Sequence, residues 1–321
     1  MQASTKQPLT PSHSNRVRTR IESVDPIAFA DDAADLFRSA QRPPCMARTA
    51  DYIRFQCGFP TSLPPLGFAA RRGEQAVAFL AAVGRKSSLG DIYISSFLSR
   101  RPDNVASLSV AILRLQVRAA GHLKRPVLFF AQPGSAGEYL LGAIETLGLT
   151  KTLIGEYRVH SAIPGPVPNG IQVSELPPDD WAREAELLRR SNLLSPVFDS
   201  ETLAHFQRDS SGHRFLCARR GNEILATAMA AKTHMVTATK EAWIPALHYV
   251  RLNRQEPEPL VALVAAAADP AVPVVTVSNP TSVHPAVVKA GLRATGTVFS
   301  AYICPNGCEL PPLTGTEFEV I

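Results

Sequence analysis

The sequence predicts an α/β (α+β) fold of two tandem modules, each a mixed, mostly antiparallel sheet flanked by helices. Three observations support this prediction. Short motifs recur in the same order in the two halves, strand-like and helix-like patterns alternate along each half, and a Pro/Gly-rich segment separates the halves. A length of 321 residues also favours about two domains.

The internal repeat rests on several short matches rather than on one long one. The offset between matched segments is 152 residues at first and drifts slowly to 143 residues. A constant order with a slowly changing offset is not what chance usually produces, and it predicts a tandem duplication. The matched segments are 29–39 with 181–191, 70–73 with 218–221, and 148–149 with 291–292.

The repeat sets the predicted domain boundaries. The linker reads Pro-Gly-Pro-Val-Pro-Asn-Gly, which is stiff and cannot continue a helix. The N-terminal residues are rich in Ser, Thr, Pro and Gln, lack the apolar segment of a signal peptide, and are expected to be disordered. The predicted divisions are a tail (1–15), a first domain (16–163), the linker (164–170), a second domain (171–304) and a C-terminal tail (305–321).

Each module is predicted to contain a strand, two helices, a hairpin, a central strand–loop–helix unit and a last strand. The hairpin turns carry Gly73 and Gly221, which permit positive φ. In the first module we predict strands at 17–21, 66–71, 76–83 and 153–162, and helices at 28–40 and 49–57. In the second module we predict strands at 171–173, 214–219, 224–231 and 296–304, and helices at 180–193 and 200–208.

The central unit of the first half, residues 92–121, combines a strand, a polar loop and a long helix. Its helical part carries apolar residues at every third or fourth position. A helix that follows a strand through a short loop begins with free N–H groups, which together with the helix dipole favour a phosphate. A strand at 126–131 and a helix at 137–149 are predicted to follow.

The loop of this unit, Arg101-Pro-Asp-Asn104-Val-Ala106, resembles the Arg/Gln-x-x-Gly-x-Gly/Ala loop of the GNAT acyltransferase superfamily. Asn104 stands where that superfamily has Gly, and Asn tolerates the left-handed region better than most residues. The strand and helix that follow, ending in Leu-Gly-Leu at 147–149, also resemble the superfamily's core. The resemblance covers most of the first half in pattern, and with the repeat it implies two GNAT-like modules.

The resemblance implies that the loop cradles the pyrophosphate of acetyl-CoA or of another acyl-CoA. The matching loop of the second half, 253–259, contains two glutamates and two prolines, which repel a pyrophosphate and remove N–H donors. The first half is therefore expected to bind the cosubstrate. The residues implied to contact it are Phe97, Leu98, Arg101, Asn104, Val105, Ala106 and Ser107.

Acylation of an amine needs a group that accepts the amine proton and a group that protonates the thiolate leaving group. The resemblance implies a Tyr on the last helix as the acid, but Ile144 stands at that position. The catalytic candidates that the chain offers are Tyr93 and Ser96 on the central strand, Tyr139 on the last helix of the first half, and His248 on the matching strand of the second half. The spacing of the His and Cys residues predicts no metal site.

The leading function is acyl transfer from an acyl-CoA to an amine of a small molecule or peptide. Two alternatives stay open: a non-catalytic module that binds an acyl-CoA or another ligand, and acyl transfer from an acyl carrier protein. The carrier alternative rests on a set of basic residues suited to an acidic partner, namely Arg100, Arg101, Arg114 and Arg118.

Composition argues against several other classes. The net charge of +5 is spread over the chain without long Lys/Arg runs, so no nucleic-acid partner is expected. The chain contains no apolar run of about 18 residues, so no membrane span is expected. Five scattered cysteines argue against a disulfide framework and for a reducing compartment, which we take to be the cytoplasm.

Overall fold

The computed structural model of the chain describes residues 18–40, 45–100, 106–131, 136–189, 193–194, 196–209, 211–236, 240–280, 284–310 and 317–318. None of the described helices is long and apolar enough to cross a membrane.

Within these residues, the two halves contain the same elements in the same order. The first half has β1 (Thr19–Val24), α1 (Ala30–Ala40), β2 (Cys45–Met46), α2 (Ala50–Cys57), β3 (Leu66–Arg72), β4 (Gln75–Ser87), β5 (Gly90–Arg100), α3 (Ala106–His122), β6 (Val127–Ala131), α4 (Ala136–Thr146) and β7 (Thr152–Ala162). The second half has β8 (Gln172–Glu175), α5 (Pro178–Leu187), β9 (Leu193–Leu194), α6 (Ser200–Gln207), β10 (Arg214–Arg220), β11 (Glu223–Val236), β12 (Glu241–Leu252), α7 (Glu258–Ala267), β13 (Val275–Pro280), α8 (His284–Lys289) and β14 (Arg293–Cys304). A short strand, β15 (Glu317–Phe318), pairs with β9. The predicted pair of tandem modules is therefore confirmed.

The second helix of each half begins in the same way. The Thr49 hydroxyl accepts a hydrogen bond from the Tyr52 N–H at 3.2 Å, and the Asp199 carboxylate accepts one from the Thr202 N–H at 2.9 Å. Each cap satisfies an N–H group that the first helical turn leaves free. Helices α2 and α6 consequently start at equivalent positions of the repeat.

Helix α5 is shorter than the predicted helix at 180–193, because it ends at Leu187. Its buried residues are Trp181 and Ala185, whereas Leu187 is 75% exposed. The stripe of residues that packs against the sheet has therefore ended before Leu187, and no burial favours a further turn.

Thirteen strands form one sheet in the order β1-β3-β4-β5-β6-β14-β7-β13-β12-β11-β10-β8, with β2 attached to β11. Reading this order from either end gives equivalent strands, so the sheet has pseudo-two-fold symmetry about the pair β14–β7. Only β5–β6 and β12–β13 pair in parallel among the described strands of this path. All its other pairs are antiparallel.

The last strands of the two halves are exchanged at the centre of the sheet. Strand β14 lies between β6 and β7, and β7 lies between β14 and β13. The sequence analysis predicts the positions of these two strands but not their pairing partners. Ala301 and Ile303 of β14 are fully buried in the core of the first half. The segment 164–170 therefore separates the halves along the chain but not within the sheet.

A second exchange joins the segments between the first two helices of each half to the opposite half. The Ala47 N–H donates to the His234 carbonyl at 2.8 Å, and the Val197 N–H donates to the Lys86 carbonyl at 3.1 Å. These two bonds are equivalent under the pseudo-two-fold symmetry. They bring α2 of the first half against α6 of the second.

Helices α1 and α2 cover one face of the first half of the sheet, while α3 and α4 cover the other. Where α2 meets α6, aromatic side chains from both halves pack into one cluster, which we call the junction cluster. It contains Phe55, Phe59, Trp181, Phe198, Phe206, Phe215 and Tyr249.

Candidate functional site

The parallel strands β5 and β6 part from each other in the middle of β5. They pair at Tyr93–Val127, Ile94–Leu128 and Ser95–Phe129, and no further pairing between them follows in the described residues. The register of β5 against β4 shifts at the same point, so that Ser96 is an extra residue between two paired positions. We call this gap the first opening and the position of Ser95 its apex.

The second half repeats this feature between β12 and β13. The pairing covers Ala246–Thr276 and Leu247–Val277. The register of β12 then shifts, and Tyr249 adopts a positive φ of 52°. Because β5 and β12 run antiparallel and lie five strands apart, the two openings face opposite ends of the sheet.

Tyr93 lies at the first opening but deep in the sheet. It is fully buried among residues that pack against α3 and α4, and its hydroxyl donates a hydrogen bond of 3.0 Å to the Pro64 carbonyl. Burial raises the pKa of Tyr93 to about 12, although the nearby Arg125 works in the other direction. The neutral phenol is therefore strongly favoured. Its catalytic role stays a prediction.

The other predicted residues of the first half are only partly within the described structure. Ser96, Phe97 and Leu98 follow the apex along β5, Ala106 and Ser107 form the first turn of α3, and Tyr139 lies in α4. The side chains of these six residues lie outside the described part of the chain. Arg101, Asn104 and Val105 lie outside it entirely. Their predicted roles stay predictions.

His248 lies at the second opening, not at the first, one residue beyond Leu247, the last residue of β12 that pairs with β13. It is half-buried, and burial, with a smaller contribution from the nearby His213, lowers its pKa to about 4. The imidazole is therefore neutral at pH 7 and able to accept a proton. Tyr93 and Ser96 thus lie on β5 at the first opening, whereas His248 lies on β12 at the second.

Two further histidines pack against the junction cluster, and sequence reasoning did not single them out. The His205 ring stacks on Phe55 with centroids 4.4 Å apart, and its Nε2 lies 2.9 Å from the Phe55 carbonyl. The His213 Nδ1 lies 3.1 Å from the Phe206 carbonyl and 3.5 Å from the Asp209 carboxylate. Burial lowers the pKa of both imidazoles.

Acidification from pH 7 to pH 4 is expected to destabilise the protein, because His248 is neutral when folded and protonated when unfolded. Its pKa is 6.5 in the unfolded chain and about 4 in the folded one, so its stabilising contribution is complete above pH 6.5 and is lost as the pH falls toward 4. Allowing for partial exposure, the loss is about 2 kcal/mol. Urea unfolding at pH 7, 5.5 and 4 measures it.

The matched comparison for this pH effect is His248→Gln, which cannot titrate in the same range. This variant should show a pH dependence smaller by about 2 kcal/mol, with the remainder carried by the other buried imidazoles. Equal pH dependence in the two proteins would contradict the assignment of the effect to His248.

Helix α3 places two polar residues on its buried face, and the sequence analysis overlooked both. Gln116 is fully buried, and its Oε1 accepts a hydrogen bond of 3.3 Å from the Ser95 hydroxyl at the apex. Ser109 is 1% exposed on the same face. The available signal was a pair of polar residues seven positions apart within an apolar helical stripe.

The start of α7 in the second half is unlike that of α3. Glu256 pairs with Arg220 at 3.6 Å and with Arg254 at 3.8 Å. Both basic residues of this corner are therefore already neutralised by a carboxylate of the chain. Pro257 precedes the helix and has no N–H to offer. This corner therefore disfavours an anionic ligand.

A cleft of about 910 Å³ lies where the two halves meet beside the amino end of β5. Its charged members include Lys86, whose Nζ lies 2.5 Å from Asp199 and 3.1 Å from Glu201. The hydrogen bonds that Lys86 donates to Asp199 and Glu201 raise the pKa of Lys86 despite the opposing effect of burial. The lining residues are Pro60, Thr61, Ser62, Lys86, Glu201, Ala204, Gln207 and Arg208.

Lys86→Met is expected to destabilise the protein by about 1 kcal/mol, because it removes a cation that joins β4 to two carboxylates at the start of α6. Urea unfolding at low and high salt measures the loss, which should shrink in 1 M salt since screening weakens the wild-type pairs. Lys232→Met, which removes a more exposed pair with Asp269, is the control and should cost less. An equal cost for the two variants would contradict the prediction.

The described residues contain no cluster of three or more His, Cys, Asp or Glu side chains suited to a metal ion. Cys304 is buried in the sheet, and burial raises the pKa of its thiol to about 11. The Cys308 thiol donates a hydrogen bond to the Lys124 carbonyl at 2.8 Å.

No protein-family model matches the chain, and no curated protein matches it by sequence. Solved structures match it over most of its length. The tandem GNAT protein from the clavulanic acid biosynthesis pathway superposes with a TM-score of 0.62 at 13% identity, over 91% of this chain and 100% of that one. A GCN5-related N-acetyltransferase from Sphaerobacter thermophilus gives 0.62 at 13% identity, over 91% and 98%.

N-myristoyltransferase from Saccharomyces cerevisiae with bound myristoyl-CoA superposes with a TM-score of 0.64 at 11% identity, over 99% of this chain and 91% of that one. At such identities a likeness shows the fold. This chain has the tandem GNAT fold, and the fold predicted for its two modules is confirmed.

Proposed function

We propose that the chain transfers an acyl group from an acyl-CoA, with acetyl-CoA the expected donor, to an amine of a small molecule or peptide. The observation that carries this proposal is the first opening, where two parallel strands part at Ser95 and α3 begins at Ala106 shortly afterwards. Parting strands leave backbone N–H and C=O groups available to the amides of a pantetheine arm. The tandem GNAT fold, shared with structures that hold myristoyl-CoA, supports the same proposal.

The first opening gives the donor a direction. Its pyrophosphate would lie at the start of α3, where Arg101, Asn104 and Val105 precede Ala106 and Ser107, because free N–H groups and the helix dipole favour an anion there. The arm would then follow β5 past Phe97 and Leu98 toward the apex. The thioester would lie near Ser95 and Ser96. The second opening lacks a comparable helix start, so we assign the donor to the first.

The cleft between the halves is the proposed entrance for the acceptor. It adjoins the amino end of β5, where Asp91 lies directly opposite the cleft residue Lys86 of the neighbouring strand β4. Donor and acceptor would therefore approach the apex from opposite ends of β5. A lining that contains Lys86, Glu201 and Arg208 suits a polar acceptor.

The catalytic candidates have unequal support within this arrangement. Ser96, the extra residue at the apex, is proposed to contact the acyl group or the amine. Tyr139 is the candidate for protonating the thiolate, whereas the Tyr93 hydroxyl is bonded to the Pro64 carbonyl. His248 would serve as a base only for chemistry at the second opening.

Two observations favour the alternatives. The separation of the candidates between two openings favours a module that binds an acyl-CoA without catalysis. Arg114 and Arg118 are exposed on α3, the helix that begins at the proposed phosphate site, and they favour an acidic carrier protein as the donor. In either case we place the protein in the cytoplasm, on the grounds of its few, scattered cysteines.

Isothermal titration of acetyl-CoA, and then of a long-chain acyl-CoA, tests the proposal. Asn104→Pro should weaken binding at least tenfold, because it removes an N–H group from the proposed pyrophosphate loop. Asn104→Gly is the matched control and should bind at least as well as the wild type, since Gly adopts the same backbone conformations more freely. Circular dichroism checks that both variants are folded.

Absence of binding by the wild type would overturn the acyl-CoA proposal. Binding that Asn104→Pro leaves unchanged would remove the donor from the first half. Where binding is established, a screen of amine acceptors for release of free thiol separates transfer from binding alone.

A further inference from the structure

Helix α3 carries two buried polar groups that no described residue satisfies. Ser109 is 1% exposed and Gln116 is fully buried, yet neither the Ser109 hydroxyl nor the Gln116 amide nitrogen has a hydrogen-bond partner in the described part of the chain. An unpaired buried donor is unfavourable, and native proteins contain few. Two of them on one face of one helix point to a ligand that brings acceptors.

Both residues belong to the stripe of α3 that packs against the sheet. Ile112 and Leu113, which lie between them along this stripe, are fully buried. The Gln116 Oε1 is held by the Ser95 hydroxyl, and Ser95 is the last residue of β5 that pairs with β6. The amide nitrogen of the same side chain is thereby fixed beside the apex of the first opening.

The equivalent helix of the second half lacks this feature. The buried residues of α7 are all apolar: Pro259, Leu260, Ala262, Leu263, Val264 and Ala267. The unpaired donors therefore accompany the half whose loop resembles a pyrophosphate loop. Single unpaired groups such as the Thr227 hydroxyl occur in the second half, but its helix α7 has no counterpart of the pair on α3.

We propose that Ser109 and Gln116 bind the phosphopantetheine arm of the acyl donor. The Gln116 amide donates to the thioester carbonyl, and the Ser109 hydroxyl donates to the amide carbonyl nearer the nucleotide. This assignment rests on the proposed function and adds to it two donors from side chains of α3. Neither residue gains or loses a proton, so both act by positioning the donor.

The spacing of the two residues fits such an arm. Seven residues of helix separate Ser109 from Gln116 by about 10 Å. In an extended acyl-pantetheine, roughly nine bonds and a similar distance of about 10 Å separate the thioester carbonyl from the farther amide carbonyl. Ser109 lies nearer the start of α3, where the pyrophosphate is proposed, and Gln116 lies nearer the apex. The order of the two donors therefore follows the direction of the arm.

The test compares Gln116→Met and Ser109→Ala with the wild type in the full chain. Binding of acetyl-CoA is measured by titration, and unfolding temperature is measured with and without ligand. We expect each variant to bind about tenfold more weakly, because a buried hydrogen bond to the ligand is lost. The unliganded Ser109→Ala protein should be as stable as the wild type or more so, because removing an unpaired buried hydroxyl relieves its cost.

Thr227→Val is the matched control. Thr227 is fully buried on β11, and its hydroxyl likewise has no partner among the described residues, but it lies in the second half. This variant should keep the wild-type affinity. The same phosphopantetheine arm is present in acetyl-CoA and in an acetylated carrier protein, so binding of each donor is measured separately. The assignment predicts that Gln116→Met and Ser109→Ala weaken the binding of whichever donor the wild type binds.

The outcomes separate this inference from the proposed function. If the wild type binds the donor and both variants bind it as tightly as the wild type does, the assignment of Ser109 and Gln116 is wrong while the donor site stands. If the wild type binds no donor of either kind, the proposed function fails first and the assignment falls with it. Weaker binding by Thr227→Val to the same extent would also overturn the assignment, since the effect would then not be local to α3.

Discussion

A chain that ends after Leu292 is expected to lose cooperative folding of the first half. The truncation removes β14, the strand that pairs with both β6 and β7 at the centre of the sheet. Ala301 and Ile303 of β14 are fully buried, and without them two strand edges and the underlying core face water. The loss should exceed the whole stability of a typical domain, about 5–15 kcal/mol. Far-UV circular dichroism and urea unfolding measure it.

The control for this truncation is a chain that ends after Leu310. It keeps β14 and removes the residues that include β15, which pairs only with the two-residue strand β9 in the described structure. Its unfolding free energy should stay close to that of the full chain. A chain that ends after Leu292 and unfolds with the same free energy as the full chain would show that β14 is dispensable and would contradict the prediction.

The same symmetry predicts the behaviour of a fragment that ends at residue 163. Strands β7 and β14 are equivalent in the repeat, so β7 of a second copy can occupy the place of β14 between β6 and β7. The fragment is therefore expected to form a strand-exchanged homodimer. Light scattering should then give twice the mass of the fragment. A folded monomer would contradict this expectation.

The order of helices and strands was predictable because it depends on local patterns. The hairpins around Gly73 and Gly221 and the N-caps Thr49 and Asp199 are read from a few neighbouring residues. The exchange of β7 and β14 was not predictable in this way. Both strands have the same place in the repeat, and their local patterns do not reveal which half each one completes.

The first opening was predictable in outline, since a strand, a polar loop and a helix follow one another there. Its polar interior was not, because the burial of Gln116 depends on its contact with Ser95, twenty-one residues away. His205 and His213 were missed for a similar reason. Their surroundings come from both halves, and a single-sequence pattern does not report contacts between segments so far apart.

Arg85→Met is expected to destabilise the protein by about 3 kcal/mol, because the guanidinium is the donor for several buried acceptors. Arg85 is 1% exposed, and its Nη1 donates to the Gln56 carbonyl at 3.0 Å and to the Gly84 carbonyl at 2.8 Å. Its Nη2 donates to the Gln56 side-chain oxygen. The guanidinium also lies 3.9 Å from the centre of the Phe59 ring, within the junction cluster.

The sign of this effect depends on two opposing terms. Arg85 has no carboxylate partner in the described structure, and burial lowers its pKa to about 10, so the buried charge itself is unfavourable. Removing the side chain relieves that cost but leaves three oxygen acceptors unpaired, each of which costs about 1–3 kcal/mol. Because Met fills most of the space, cavity formation adds little. The unpaired acceptors therefore dominate.

Urea unfolding of Arg85→Met beside Arg54→Met decides between these terms. Arg54 lies on the same helix as Gln56 but is 40% exposed, and among the described residues it pairs only with the exposed carboxylates of Asp31 and Asp51. Its replacement should cost at most about 1 kcal/mol. If Arg85→Met is as stable as the wild type, the free-energy cost of burying the Arg85 charge equals the stabilisation from its hydrogen bonds. In that case the junction between the halves would depend on aromatic packing rather than on Arg85.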